Sequence, residues 1–360
     1  MADEILTARD LNRALLARQM LLERQRMAPV AALDRLLAIQ AQLPRTPFIG
    51  LWSRLEAFRP EALRAAIQAR EVVRATAMRG TLYLMTAADF LAFRGSLRTG
   101  EAFALPGGAK TTVAELEPLL ALARQHFAAP QPFESLRDVL EKAGYSDARI
   151  MAYAARQLLP LVQAASDTPY GFAPGGEFIL AEAYLGTGVA PHPAPADLLR
   201  RYLAAWGPAT PADFSGWSGL KGVAPLFEAL SGELVTFRDD RNKALYDLRD
   251  APRPGGDVPA PPRFVPDFDA VTQGHQGRAR ILPTRYAPRV ASKNLQVPPM
   301  LLVDGFVAGT WKLEAKKKTA TVIVTAFETF NAKTRKAVEA EAIALAKALE
   351  PAAEPAVTFV

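Results

Sequence analysis

The chain has 360 residues, half of them hydrophobic, which suits two to four packed modules better than a single core. Lys and Arg outnumber Asp and Glu by 43 to 37, a formal charge of +6, so an anionic partner is favoured, nucleic acid first, although there is no basic tail. The absence of cysteine excludes disulfides and thiolate metal sites, the three scattered histidines argue against a zinc site, and no apolar run approaches the roughly 18 residues that span a membrane.

The opening stretch MADEILTARDLNRALL begins with two acids and lacks the cationic and apolar regions of a signal peptide. In LTARDLNRALLARQMLLER, Thr7 with Asp10 three residues on predicts a capped helix that presents Leu11, Leu15, Leu16 and Leu22 on one face. The same start signal recurs at Thr86 (TAAD), Ser135 (SLRD) and Thr210 (TPAD), the last with Pro211 at the first helical position. EVVRATAMRGTLYLM reads as a hairpin around Arg79 and Gly80. SLRDVLEKAGYSDARIMAYAARQLLPLVQAAS reads as helix, turn and longer helix, followed by a Gly/Pro turn in PYGFAPGGEFILA. ADLLRRYLAAWGPATPADF and its sequel repeat this order and end in a candidate hairpin, ELVTFRDDRNKALYDL. Helix, turn, helix and small hairpin is the winged-helix plan, which the first segment fits more loosely.

Four prolines and two glycines between positions 251 and 261 mark a linker or extended loop. Beyond it, PMLLVDGFVAGTWKLEAKKKTATVIVTAF alternates strand formers around Asp304-Gly305 and a lysine turn, as an antiparallel meander does, and a helix is predicted over roughly 333–349. The expected fold is mainly α with small β elements. It has three modules at 1–128, 129–194 and 195–252, then a C-terminal β element and helix at 253–360.

One stretch does not fit this bland inventory. AIQAQLPRTPFIGLWSRL places Gln40 and Gln42 in an apolar run just before Pro44. Leu33, Leu36 and Leu37 precede Gln40 at helical spacing, so a continuing helix would bury Gln40 and turn Gln42 away. Pro44, however, pushes Leu43 out of helical geometry, and in an extended segment residues two apart point the same way. Two readings stay open: one amide bonds nearby backbone while the other is solvated, or both converge on one cleft. Glutamine has no useful acid–base chemistry, so a converging pair would position a water or ligand, or set carbonyl dipoles beside a developing cation.

With LARQMLLER, LLAIQAQLPRTPFIGLWSRL, AMRGTLYLMTAADF, LRRYLAAWGPATPADFSGWSGL, FVPDFDAVTQGHQGRARIL and LLVDGFVAGTWKLE in this order, the sequence resembles the AlkZ-like (YcaQ-related) winged-helix DNA glycosylases over nearly its whole length. The resemblance implies three tandem winged helices in a C shape around duplex DNA, plus the C-terminal β element. It also implies DNA repair by excision of bulky alkylated purines, interstrand crosslinks among them, with no metal or organic cofactor. The family's Gln-x-Gln motif falls on Gln40 and Gln42, which would hold the water that attacks the sugar and stabilise the oxocarbenium ion. Where the family usually reads RGTLH this chain has RGTLY, with Tyr83 at the histidine; where it usually reads HxDRxR the chain has HQGRAR, with Gly277 at the acid.

The remaining candidates each carry two readings. Arg79, Gly80 and Thr81 at a hairpin tip would touch phosphate, or be an exposed arginine beside a turn glycine. Arg278 and Arg280 alternate in GRARIL and on a strand would share one anionic partner, or form separate salt bridges. Lys312 and lysines 316–318 would block edge pairing, or contact DNA. Trp52, Trp206, Trp217 and Trp311 read as core, and His275 as structural. The candidate site is therefore Gln40 and Gln42 for catalysis, with Arg45, Arg79, Thr81 and Tyr83 for DNA contact. Arg278, Arg280, Lys312 and Lys316 extend that DNA-contacting set. The expected protein is a cytoplasmic monomer acting on double-stranded DNA that carries alkylated purines, with no membrane partner. The competing class is a non-catalytic winged-helix DNA-binding protein such as a regulator.

Overall fold

Thr7 and Asp10 cap each other at the start of the first helix, Ala8–Arg18: the Thr7 hydroxyl accepts from the Asp10 amide at 3.2 Å and the Asp10 carboxylate from the Thr7 amide at 2.9 Å. A computed structural model of the chain describes residues 4–97, 102–105, 110–291, 296–316 and 318–360. This helix is enclosed on more than its leucine face, since Asn12, Arg13 and Arg18 are buried beside Leu11, Leu15 and Leu16. Its cationic side chains reach segments more than 200 residues away. Arg18 forms a two-pronged pair with Asp247 at 2.7 Å on each prong, and Arg253 adds a third bond at 2.7 Å. Arg9, Arg13 and Arg18 donate to the carbonyls of Gly256, Val258 and Pro252, so the proline-rich linker has no regular element yet is fastened along its length. The strand Glu4–Leu6 pairs in parallel with Leu234–Asp239, which pairs in turn with Ala244–Leu248, the hairpin expected at the end of the third segment.

The other caps divide. Thr86 accepts from the Asp89 amide at 3.0 Å, and Thr210 and Asp213 form a full reciprocal cap with Pro211 at the first position. Ser135 is no cap: helical dihedrals already begin at Glu134, and the Ser135 hydroxyl turns back to donate to Pro132 O at 2.7 Å.

Two sheets are larger than the expected small β elements. The first has six strands, in the order Ile39–Gln40, Leu82–Thr86, Val72–Thr76, Leu161–Gln163, Glu177–Leu180 and Gln131–Pro132, each pair antiparallel. The hairpins on either side of position 128 are thus one continuous sheet. The first hairpin turns through Arg79 (φ 53°) and Gly80 (φ 72°), two successive left-handed residues as tight hairpins require. A Cβ at Gly80 would also come within 2.3 Å of the amide end of the Gln157 side chain, which would have to shift to make room. The second sheet orders Arg263–Val265, Met300–Val303, Phe306–Lys316, Thr319–Ala326 and Glu354–Phe359. Asp304 and Gly305 form its first tight turn, both at positive φ. The helix Ala332–Leu349 packs Val338, Ala342, Leu345 and Ala346 onto Val322, Val324 and Phe264 of this sheet.

Trp206, Trp217 and Trp311 are core, whereas Trp52 is half-buried under the Arg24 guanidinium. Among the described residues no helix is long and apolar enough to cross a membrane.

Candidate functional site

The helix Pro29–Leu36 stops four residues before Gln40, where Leu37 takes φ 67° and the chain becomes extended. Ile39 and Gln40 pair with Leu84 and Tyr83, and the Ala41 amide donates to Leu82 O at 2.7 Å, so the extended reading of the glutamine segment is the one realised. Directly opposed residues of neighbouring strands share a face, which sets Gln40, Tyr83 and Ala75 side by side. Gln40 is buried and Gln42 is exposed at the open end of the strand.

Among the described residues each amide oxygen meets one protein donor. Gln273 Nε2 donates to Gln40 Oε1 at 3.4 Å, and the Leu82 amide donates to Gln42 Oε1 at 3.0 Å. A carbonyl oxygen has two lone pairs, so each bond orients the oxygen and leaves it able to accept once more. Gln273 itself is set by a chain of contacts that starts beside the motif. The helix Thr46–Arg54 follows Gln42, and its buried Arg54 grips Asp269 at 2.8 and 2.9 Å. Asp269 in turn caps the turn Ala270–Thr272 through the Val271 amide. Gly274 packs against the Trp206 ring, where a Cβ would come within 2.4 Å, between Gln273, which reaches the motif, and the buried His275.

Around the pair, Arg79 Nη2 donates to the hydroxyl of the fully buried Tyr83 at 3.2 Å, while the Thr81 hydroxyl closes the hairpin turn onto Met78 O. Arg45 is exposed and pairs with Asp267 at 3.0 Å. Lys312 and Lys316 are exposed on the second sheet, both within 3.4 Å of Glu314; Lys317 lies outside the described residues. The expectation for GRARIL is corrected. Arg278–Arg280 is a turn of 3-10 helix, in which alternate residues diverge, so Arg278 is exposed while Arg280 is buried. Arg280 donates to Pro208 O at 2.7 Å, which removes it from any shared surface with Arg278. At Gly277 a Cβ would meet nothing within 4 Å, so no neighbour has filled the space of an acidic side chain. Gln273 and Arg74 escaped the sequence reading. Gln273 stands 233 residues from its partner, whereas an arginine inside the strand formers VVRAT was a signal available locally.

His275 is structural, as expected. Its Nε2–H donates to Trp206 O at 2.8 Å, and burial first, then the neighbouring Arg280, push its imidazole down to about 3. An unfolded histidine titrates at about 6.5, so between these values only the unfolded chain takes up the proton. Stability from this group is whole above about pH 6.5 and falls as the pH drops toward 3. Acidifying from pH 7 to 5 is expected to lose about 2 kcal/mol through it. Urea titrations of wild type and His275→Gln at both pH values test this: the variant should have the flatter acid limb, and equal slopes would remove His275 as the cause.

A family model described as "DNA glycosylase AlkZ-like" matches residues 33–348, an interval that takes in both glutamines and most of the second sheet. No curated protein matches the chain. Among solved structures, the DNA glycosylase AlkZ of Streptomyces sahachiroi aligns with a TM-score of 0.77 at 19% identity, covering 99% of this chain and 100% of that one. At this identity the structural likeness speaks for the fold.

Proposed function

Because the chain belongs to the AlkZ-like family of DNA glycosylases, we propose that it hydrolyses the N-glycosidic bond of bulky N7-alkylated purines in duplex DNA, crosslinked purines included, with a water held by Gln40 and Gln42. The observation that carries this reading is the pair of amide oxygens on one extended segment, each oriented by a donor from a different part of the chain, Gln273 and Leu82.

An attacking water must point a lone pair at the sugar and give its hydrogens to acceptors, and two amide oxygens with one lone pair each to spare meet that need. Alkylation at N7 places a formal positive charge on the purine, so departure needs no strong acid. The C1′–N9 bond breaks with its electron pair passing to the purine, which becomes neutral. The water oxygen bonds to C1′ and its proton leaves to solvent, giving a free alkylpurine and an abasic site. As the sugar gains positive charge, the amide dipoles stabilise it without themselves titrating. A crosslinked base cannot be swung out of the duplex, and an exposed Gln42 at the end of a strand suits attack on a base that stays stacked.

In this reading segments 1–128, 129–194 and 195–252 are winged-helix modules in a C shape around the duplex, and the protein works as a cytoplasmic monomer. Arg45, Arg79, Arg278, Lys312 and Lys316 are the exposed members of the phosphate-contacting set, and Tyr83 and Thr81 act by holding the Arg79 turn. In the competing reading of a non-catalytic DNA-binding protein, the Gln42 oxygen serves only to hold the Leu82 amide. A duplex with a single N7-alkylguanine separates the two. A glycosylase converts it to an alkali-cleavable strand, whereas a binder shifts it on a gel and leaves it intact.

A further inference from the structure

Arg74 sits in the middle of the strand Val72–Thr76 and is buried, yet among the described residues no carboxylate pairs with it. Its Nε donates to Ala41 O at 2.8 Å, its Nη2 to Gln42 O at 3.0 Å, and its Nη1 to Gln163 Oε1. Arg18 and Arg54, just as deeply buried, each grip an aspartate. Burial, with Arg156 nearby, pushes the Arg74 guanidinium down to about 10, so it keeps its proton at neutral pH. An ion without a counter-ion is unfavourable inside a protein unless charge-assisted hydrogen bonds satisfy it, and here three neutral oxygens do so.

Two of those oxygens have a specific meaning. Ala41 O belongs to the peptide unit before the Gln42 Cα, and Gln42 O to the unit after it. Peptide units are planar, so holding both planes restrains φ and ψ of Gln42 and with them its Cα–Cβ direction, and the Leu82 amide sets the far end of the side chain. The guanidinium fork is held at its far end as well. Gln163 Nε2 donates to Ala173 O at 2.9 Å, and Gly176 leaves room for that amide, since a Cβ there would lie 2.4 Å from it. Gln163 lies on Leu161–Gln163, the strand through which the second hairpin joins the first.

We propose that Arg74 is a positioning residue for excision: with Gln163 behind it, it locks the backbone on both sides of Gln42 so that the amide oxygen stays aligned on the attacking water. This rests on the reading of Gln42 given above. A displacement of about 1 Å in a reacting arrangement slows a reaction on the order of a hundredfold, which sets the size of the effect. Lysine keeps the charge and loses the fork, so it cannot hold two carbonyls and an amide together.

The experiment measures single-turnover excision from an N7-alkylguanine duplex and affinity for undamaged duplex. The proteins are wild type, Arg74→Met, Arg74→Lys, Gln163→Met, Gln42→Ala, and Arg74→Met and Gln163→Met each combined with Gln42→Ala. Arg74→Met should slow excision by roughly thirty- to three-hundredfold with affinity within about threefold, Arg74→Lys should recover part of the rate, and Gln163→Met should slow it by about three- to tenfold. In the Gln42→Ala background, either change should add less than about threefold, because the group it aligns is gone. Additive losses, or an unchanged rate in Gln163→Met or Arg74→Met, overturn the proposal while the glutamine reading stands. If Arg74→Met fails to fold, the Gln163→Met pair of measurements decides alone. A normal rate in Gln42→Ala overturns the glutamine reading itself, and the role of Arg74 with it.

Discussion

Gln42→Ala is expected to slow single-turnover excision by about 2–4 kcal/mol of barrier, roughly thirty- to a thousandfold, the scale for losing one positioning or electrostatic group. The reason is geometric: the variant removes an acceptor for the water and leaves the Leu82 amide without its 3.0 Å partner. Gln40→Ala should fall in the same range, and it also strands the Gln273 amide. The double variant should be less impaired than the product of the two, because either loss already releases the water. Neither amide neutralises phosphate, so affinity for undamaged duplex should hardly move. Gln42→Asp keeps an oxygen that can accept from Leu82 N and adds a charge suited to an oxocarbenium ion, so it should remain active. Near-normal rates in both alanine variants, with fold and binding intact, would return the pair to a purely structural role.

Asp247→Ala should have the largest effect on stability, about 3–5 kcal/mol, as expected when one partner of a buried ion pair is removed. Arg18 and Asp247 are both almost fully inaccessible, and the deletion strands the Arg18 charge between the first helix and the Leu234–Asp239/Ala244–Leu248 hairpin. The pair as such is a different matter. Arg18→Met with Asp247→Leu replaces both ions by apolar groups and should recover most of the loss. Denaturant midpoints for the three proteins, at unchanged slope, measure this. A loss below 1 kcal/mol in Asp247→Ala would mean that Arg253 and solvent rescue the site.

What the sequence revealed follows the range of the forces involved. The caps at Thr7, Thr86 and Thr210 and the turns at Arg79-Gly80 and Asp304-Gly305 depend on residues within a few positions, and all were legible. The extended glutamine segment was legible only as one of two readings. Pro44 pointed to it, but the break itself falls at Leu37, a residue type that rarely takes positive φ. Three features had no local signal. The joining of two hairpins into a six-stranded sheet depends on Arg74 and Ala75 meeting Gln163 and Val162 far along the chain. Gln273 meets Gln40 across 233 residues of sequence, beside a glycine whose close fit to the Trp206 ring is equally long-range. The strand Glu354–Phe359 was missed because it contains a proline and lies at a sheet edge, where alternation is weak.

The enclosure of the first helix by late-sequence partners has a consequence for how the chain is made. Arg18 and Asp247 are 229 residues apart, and at a synthesis rate of about 5–20 residues per second the helix leaves the ribosome roughly 10 to 50 seconds before its carboxylate exists. Throughout that interval Arg18 has no carboxylate partner, and the strand Glu4–Leu6 has no edge to join until Leu234–Asp239 has been made. The middle of the chain can assemble its six-stranded sheet meanwhile, since those strands lie between residues 39 and 180. Completion of the contacts of the opening helix therefore waits for the third segment, after all strands of the six-stranded sheet have been made. A nascent chain stalled before residue 247 should hold its opening helix accessible to protease, and release past that point should protect it.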